Sequence, residues 1–328
     1  MTTPPRSSAA SGGPAPRART VFFGSGTFAV PILRTLLAHP TIELVGIVTP
    51  PDRPAGRRGA PTPVPVATEA RARGIPLLQP ERVRAPETAA SIAELRPDLG
   101  VLADYGRIVP SAVLAIPPHG ILNVHPSLLP RHRGATPIPA TILEGDVEAG
   151  VTVMRMDEGL DTGPVVASRA WPLDGTETAP ELEVRAATEG ASLVARIVDP
   201  YLRGEVEGAP QDDAVATLTR PLRREDGRLD PERSATYLER QVRAYLPWPG
   251  SWLETTAGRL GVLRAAVARR EAGDTPGTLA PDGTGVALVA ADGRLRLLDV
   301  QPAGGRPMPV DAFRRGHPGI LAEAAVHG

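Results

Sequence analysis

Asn123, His125 and Asp161 supply the three things that acyl transfer to an amine asks of a protein with no nucleophile of its own. They stand in Asn123-Val124-His125-Pro126-Ser127-Leu128-Leu129-Pro130 and in Gly159-Leu160-Asp161-Thr162-Gly163, among apolar, Gly and Pro neighbours that restrict them. Such a reaction passes through a tetrahedral species, and a neutral donor such as the Asn123 amide stabilises its oxyanion. Residues two apart on a strand share a face, so His125 would stand beside that amide. An imidazole of ordinary pKa, near ~6.5, takes a proton from the attacking amine and returns one to the leaving nitrogen. A carboxylate at Asp161 would orient the ring, raise its basicity and position a water. Singly, each residue has a plainer reading: a turn Asn, a packed His, an Asp capping Thr-Gly. Together they favour direct acyl transfer, because the chain offers neither a cysteine nor a Gly-x-Ser-x-Gly elbow as a rival site.

The elements that must position these residues read as a βαβ succession. Thr20-Val21-Phe22-Phe23 is a short apolar strand entering the turn Gly24-Ser25-Gly26; a helix follows over 28–37, then the strand Glu43 to Val48. That start predicts a parallel, doubly wound sheet. The glycine turn invites a dinucleotide reading, but no acidic residue closes the second strand, where Thr49-Pro50-Pro51 stands instead. Residues 51–66 read as a long surface loop rich in Pro, Gly and Arg, of a length that is often functional. Helices are expected over 66–73, 87–95, 137–144 and 178–202, with strands at 99–103, 120–125 and 150–154. Asn123 and His125 then fall near the carboxyl end of a strand, where open α/β sheets bind ligands.

Composition narrows the rest. At 328 residues the chain is long enough for two domains. A net charge of −1 and 41% hydrophobic residues describe an ordinary globular protein, and no apolar run is long enough to span a membrane. The absence of cysteine excludes disulfides, thiolate metal sites and thiol catalysis, and with no apolar signal segment the expected location is the cytoplasm. There is no lysine, so all 36 basic residues are Arg, which removes Schiff-base chemistry and makes any phosphate contact a planar fork. Residues 1–19 are mostly Pro, Ser, Ala, Gly and Arg without an acid, a composition expected to be a disordered tail.

From Thr20 onward the chain resembles the methionyl-tRNA formyltransferases. The resemblance rests on 23–31, on Asp52-Arg53-Pro54-Ala55-Gly56-Arg57, on Asn123 to Gly134 with Pro137-Ile138, on Gly150 to Gly163, and on Arg240 to Trp252. The Asn, His and Asp trio is shared by all transferases that use 10-formyltetrahydrofolate; the Arg57 loop and the Pro247-Trp248-Pro249-Gly250 segment are more specific to the tRNA enzymes. The resemblance implies a Rossmann-like doubly wound α/β formyltransferase domain over 20–205, a linker over 206–222 and an OB-like β-barrel over 223–328. It implies formyl transfer from 10-formyltetrahydrofolate to the methionine amine of initiator methionyl-tRNA, by a monomer that needs no metal. Asn123 would hold the formyl oxygen, His125 would handle the proton, and Asp161 would support His125. Ser127, Leu128, Leu129 and Pro130 would line the folate pocket, with Arg57 and Arg58 at the acceptor stem.

Departures from the family pattern are Asp104 before Tyr105-Gly106, and His132 where an aromatic, usually Trp, stands between Arg131 and Arg133. His132 is expected at the surface. In the second domain, short alternating runs with Gly turns predict a small barrel. Arg220, Arg223, Arg240 and Arg243 make a candidate tRNA-backbone surface there, with Arg224 beside them. Trp248 and Trp252 could stack on bases, although buried packing is the commoner role. A sugar-nucleotide N-formyltransferase would share the trio but should lack the Arg57 loop and the Pro-Trp-Pro-Gly segment. Glycinamide ribonucleotide transformylase would leave the second domain unexplained, and a non-enzymatic RNA-binding protein would need no trio.

Overall fold

The computed structural model describes residues 17–55, 60–256 and 258–321. The first element of the described residues is β1 (Ala18–Gly24), whose apolar run Val21-Phe22-Phe23 is fully buried. It therefore begins two residues before the expected start of order; residues 1–16 of the expected tail lie outside the described residues. Helix α1 (Ala29–Ala38) buries Ala29, Ile32, Leu33 and Leu36, one stripe at helical spacing. Strand β2 (Ile42–Val48) then pairs with β1 in parallel. The expected unstructured loop instead holds an antiparallel pair, β3 (Arg53–Ala55) and β4 (Ala60–Thr62), while its residues 56–59 lie outside the described residues. Proline at 54 and 61 does not prevent this, since a two-stranded ladder leaves edges where a missing N–H costs nothing.

The succession continues through α2 (Pro65–Ala72), β5 (Leu77–Leu78), α3 (Pro86–Glu94), β6 (Leu99–Ala103), α4 (Ser111–Leu114) and β7 (Ile121–His125). Next come β8 (Arg133–Gly134), α5 (Pro137–Glu144), β9 (Glu148–Arg155), β10 (Val165–Pro172) and the 24-residue α6 (Ala179–Leu202). The seven-stranded sheet has the order β10-β9-β7-β6-β1-β2-β5. Its pairs β1–β2, β1–β6, β2–β5 and β6–β7 are parallel and β9–β10 is antiparallel. Strand order reverses between β1 and β6, the Rossmann-like switch beside which ligands bind.

Among the described residues, those up to Asn123 with Val194–Glu207 form one compact unit, and Val124–Leu193 with those from Gly208 onward form a second. Within the second, the segment read as a linker contains β11 (Leu218–Thr219), which pairs in parallel with β8. Helix α7 (Ala235–Ala244) starts at Ser234, whose hydroxyl accepts the Tyr237 N–H, and it lies against α5. A curled antiparallel sheet follows, made of β12 (Ser251–Thr255), β13 (Gly258–Ala268), β14 (Leu279–Asp282), β15 (Gly285–Val289), β16 (Arg294–Pro302) and β17 (Met308–Pro309). Helix α8 (Val310–Gly316) covers β15 and β16, and Leu238, Leu253, Val262, Leu288, Leu295, Val300 and Phe313 form the core.

Candidate active site

All five residues of β7 are buried, as expected for an inner strand of a covered sheet. Asn123 and His125 alternate on it at the carboxyl end and are 6% and 5% exposed, so each polar group must find a partner within the protein. Nε2 of His125 lies 3.0 Å from the carbonyl oxygen of His132. A carbonyl only accepts, so in the neutral ring Nε2 carries the proton and Nδ1 keeps its lone pair. That Nδ1 is 3.8 Å from Oδ2 of Asp161. Burial pushes the His125 pKa down, against the opposing pull of the Asp161 charge and the His132 carbonyl. The ring is therefore a neutral base near pH 7 that meets a counter-charge once it accepts a proton.

Asp161 adopts a left-handed backbone, φ 53°, which its short polar side chain tolerates better than most. Its Oδ2 accepts the Gly134 N–H at 2.8 Å. Gln211 donates from Nε2 to the carbonyls of Asp161 and Gly163, at 2.9 and 2.7 Å. Arg133, itself 5% exposed, in turn clamps Oε1 of Gln211 and the Asp213 carboxylate. Gly134 has φ +107°, and a Cβ there would lie 2.3 Å from the Thr219 carbonyl oxygen of β11. Only glycine lets β8 and β11 approach while the N–H still reaches Asp161.

The 126–130 turn is pinned by Thr152 of β9, whose hydroxyl donates to the Ser127 carbonyl at 2.7 Å and accepts the Leu129 N–H at 3.1 Å. The Ser127 hydroxyl donates to the Arg131 carbonyl, Leu128 packs on Gly150, and Leu129-Pro130 is cis. Contrary to the sequence expectation, His132 is no surface residue. It is 4% exposed, because its Nε2 meets Asp146 Oδ2 at 2.7 Å and its ring and backbone N–H both meet the Thr217 hydroxyl. A cavity of about 200 Å³ bounded by Leu128, His132, Asp146 and Gly150 adjoins this pair, and no member of the trio lines it. Among the described residues no three His, Asp or Glu side chains group as a metal ligand set.

The formyl transferase family model matches residues 18–198, and that of the formyl transferase C-terminal domain matches 221–318. Proteins named methionyl-tRNA formyltransferase are similar over both parts. The one from Roseiflexus sp. is 44% identical over 299 residues, covering 91% of this chain and 92% of its own. The one from Thermus thermophilus is 42% identical over 301 residues, covering 91% and 96%. This chain belongs to the methionyl-tRNA formyltransferase family. Among solved structures, an N-formyltransferase from Helicobacter canadensis, in complex with folinic acid and dTDP-3-aminofucose, shares the fold at a TM-score of 0.61. It is only 17% identical over 85% of this chain and 98% of its own, a likeness of fold alone.

The expected tRNA-facing arginines fall into three groups. Arg57 and Arg58 lie outside the described residues. Arg220 and Arg223 are exposed, Arg220 in a bidentate pair with Asp226 at 2.6 and 2.7 Å. Arg240 and Arg243 are only partly exposed: Arg240 covers Gly145 and reaches the Glu144 carbonyl at the end of α5, and Arg243 binds the Glu239 carboxylate and the Glu177 carbonyl. Trp248 is 57% exposed, against the buried packing expected of it. Trp252 is partly buried, with the Arg259 guanidinium 3.8 Å from its ring centre. Gln211, Thr152, Thr217 and the His132 carbonyl escaped sequence reasoning, since none carries a local signal linking it to the trio.

Proposed function

We propose that this chain transfers the formyl group of 10-formyltetrahydrofolate to the α-amino group of methionine on initiator tRNA, as a cytoplasmic monomer. The observation that carries the reading is identity of 41–45% with proteins of that name along about nine-tenths of the chain, second domain included. The buried His125–Asp161 geometry supports it. The acceptor amine attacks the formyl carbon, and the Asn123 amide donates to the oxyanion as the new C–N bond forms. The amine's proton passes to Nδ1 of His125, giving an imidazolium that faces Asp161. That proton then goes to the folate N10 as its bond to carbon breaks. Ser127, Leu128, Leu129 and Pro130, rigid on Thr152, form the turn against which the folate lies. Arg57, Arg58, Arg220 and Arg223 meet the tRNA backbone; Arg240 and Arg243 border that surface while serving internal bonds.

The alternative acceptor is an amino sugar linked to a nucleotide, the substrate type seen in the Helicobacter canadensis complex. The decisive assay offers 10-formyltetrahydrofolate with either charged initiator tRNA or dTDP-amino sugars and follows the formyl mass shift. Transfer to the tRNA, weakening steeply with salt as phosphate contacts require, is the expected result. Transfer to the sugar alone would refute the reading.

A further inference from the structure

His132 has the features of a structural device. Its backbone is left-handed, φ +59°, a conformation that is costly for most L-residues and is held only where the surroundings over-determine it. Here they do. The Thr217 hydroxyl accepts the His132 backbone N–H at 2.8 Å and lies 3.3 Å from its Nδ1, while Nε2 lies 2.7 Å from Asp146 Oδ2. Asp146 is held in turn by Arg131, whose guanidinium donates to Oδ1 at 2.6 Å. One set of assignments satisfies every atom: Nε2–H donates to Asp146, and Thr217 donates its hydroxyl to Nδ1 while accepting the backbone N–H. The ring and the N–H of residue 132 are thus fixed together, and the peptide that follows is aimed at Nε2 of His125, 3.0 Å away.

We propose that His132 is a positioning residue for His125: anchored by Asp146 and Thr217, it holds the left-handed turn whose carbonyl fixes the His125 proton on Nε2, leaving Nδ1 as the base. This rests on His125 being that base. Without the carbonyl the neutral ring would be free to place its proton on Nδ1, toward Asp161, where the ring cannot accept one from the amine. The carbonyl also stabilises the imidazolium, so its loss would make His125 less basic.

The test is formylation kinetics from pH 5 to 9 on the full chain for wild type, His132→Ala, His132→Asn, Thr217→Val and His125→Asn. Alanine disfavours the left-handed region and removes the donor to Asp146 Oδ2, leaving Arg131 as that carboxylate's partner, so kcat should fall by about 10- to 100-fold with both KM values within about threefold, a misplacement effect. The acid limb of kcat/KM should move to lower pH. Asparagine tolerates the left-handed backbone and places its amide where Nδ1 stood, beside the Thr217 hydroxyl, so His132→Asn should recover the backbone part of the loss. Thr217→Val should shift kcat and the acid limb in the same direction as alanine without adding strain at 132, and it decides the matter if His132→Ala does not fold. An inactive His125→Asn beside His132→Ala, or failing that Thr217→Val, with wild-type kcat and acid limb would overturn this inference alone. An active His125→Asn would overturn the underlying reading of His125.

Discussion

Replacing Asp161 with asparagine isolates the electrostatic part of the proposed mechanism. Asparagine is among the residues most tolerant of a left-handed φ of 53°, and its amide oxygen can still accept the Gly134 N–H. What disappears is the negative charge 3.8 Å from Nδ1 of His125. At an effective dielectric constant of about 20, two unit charges at that distance attract by about 4 kcal/mol, an upper limit corresponding to a roughly thousandfold change in rate. The proton is only partly transferred in the transition state, and half the interaction, about 2 kcal/mol, corresponds to roughly thirtyfold. The expected loss in Asp161→Asn is therefore about 30- to 1,000-fold in the chemical step. Rapid-quench single-turnover formylation with saturating donor reads that step free of product release. Because the Asp161 charge raises the basicity of His125, the acid limb of kcat/KM should also move to lower pH. A chemical step within threefold of wild type, with the acid limb unmoved, would refute the role of the charge.

Two further outcomes follow from the same geometry. Gly134→Ala cannot keep φ +107° or the close approach to Thr219, and should destabilise the protein by about 2–3 kcal/mol while loosening the Gly134–Asp161 bond; denaturant melts and turnover would both show it, and a variant of unchanged stability would contradict the close packing. His125 is held neutral by burial, so its folded pKa lies below its unfolded value near ~6.5; its contribution is complete above that value and is lost as pH falls toward the folded pKa, at up to about 1.4 kcal/mol per pH unit. Denaturation midpoints from pH 7.5 to 5 should decline less steeply for His125→Asn than for wild type, and identical slopes would count against the buried neutral ring.

The architecture was legible because its signals are local. The run Val21-Phe22-Phe23, the stripe Ala29, Ile32, Leu33 and Leu36, and the strand ending in Asn123 and His125 each carry their period within a few residues. The β3–β4 pairing was missed because Pro and Gly punctuate a loop and a short edge ladder alike. The strand β11 was missed because a two-residue pairing depends on a partner some eighty residues away, beyond any local pattern.

Residue types and spacing alone nominate Asn123, His125 and Asp161, because an amide, an imidazole and a carboxylate have few joint uses in a chain without cysteine; folding adds that Asn123 and His125 are buried and that His125 lies 3.8 Å from Asp161. Types and spacing did not reveal which nitrogen of the His125 ring keeps its lone pair. That depends on the carbonyl of His132, a residue whose own contacts with Asp146 and Thr217 span 14 and 85 positions. Nor did they reveal that His132 is buried or that Trp248 is exposed, since burial is decided by what the rest of the chain places over a side chain. Side-chain chemistry is a property of the residue and can be read one position at a time; tautomer, pKa and exposure are properties of neighbours that only folding supplies.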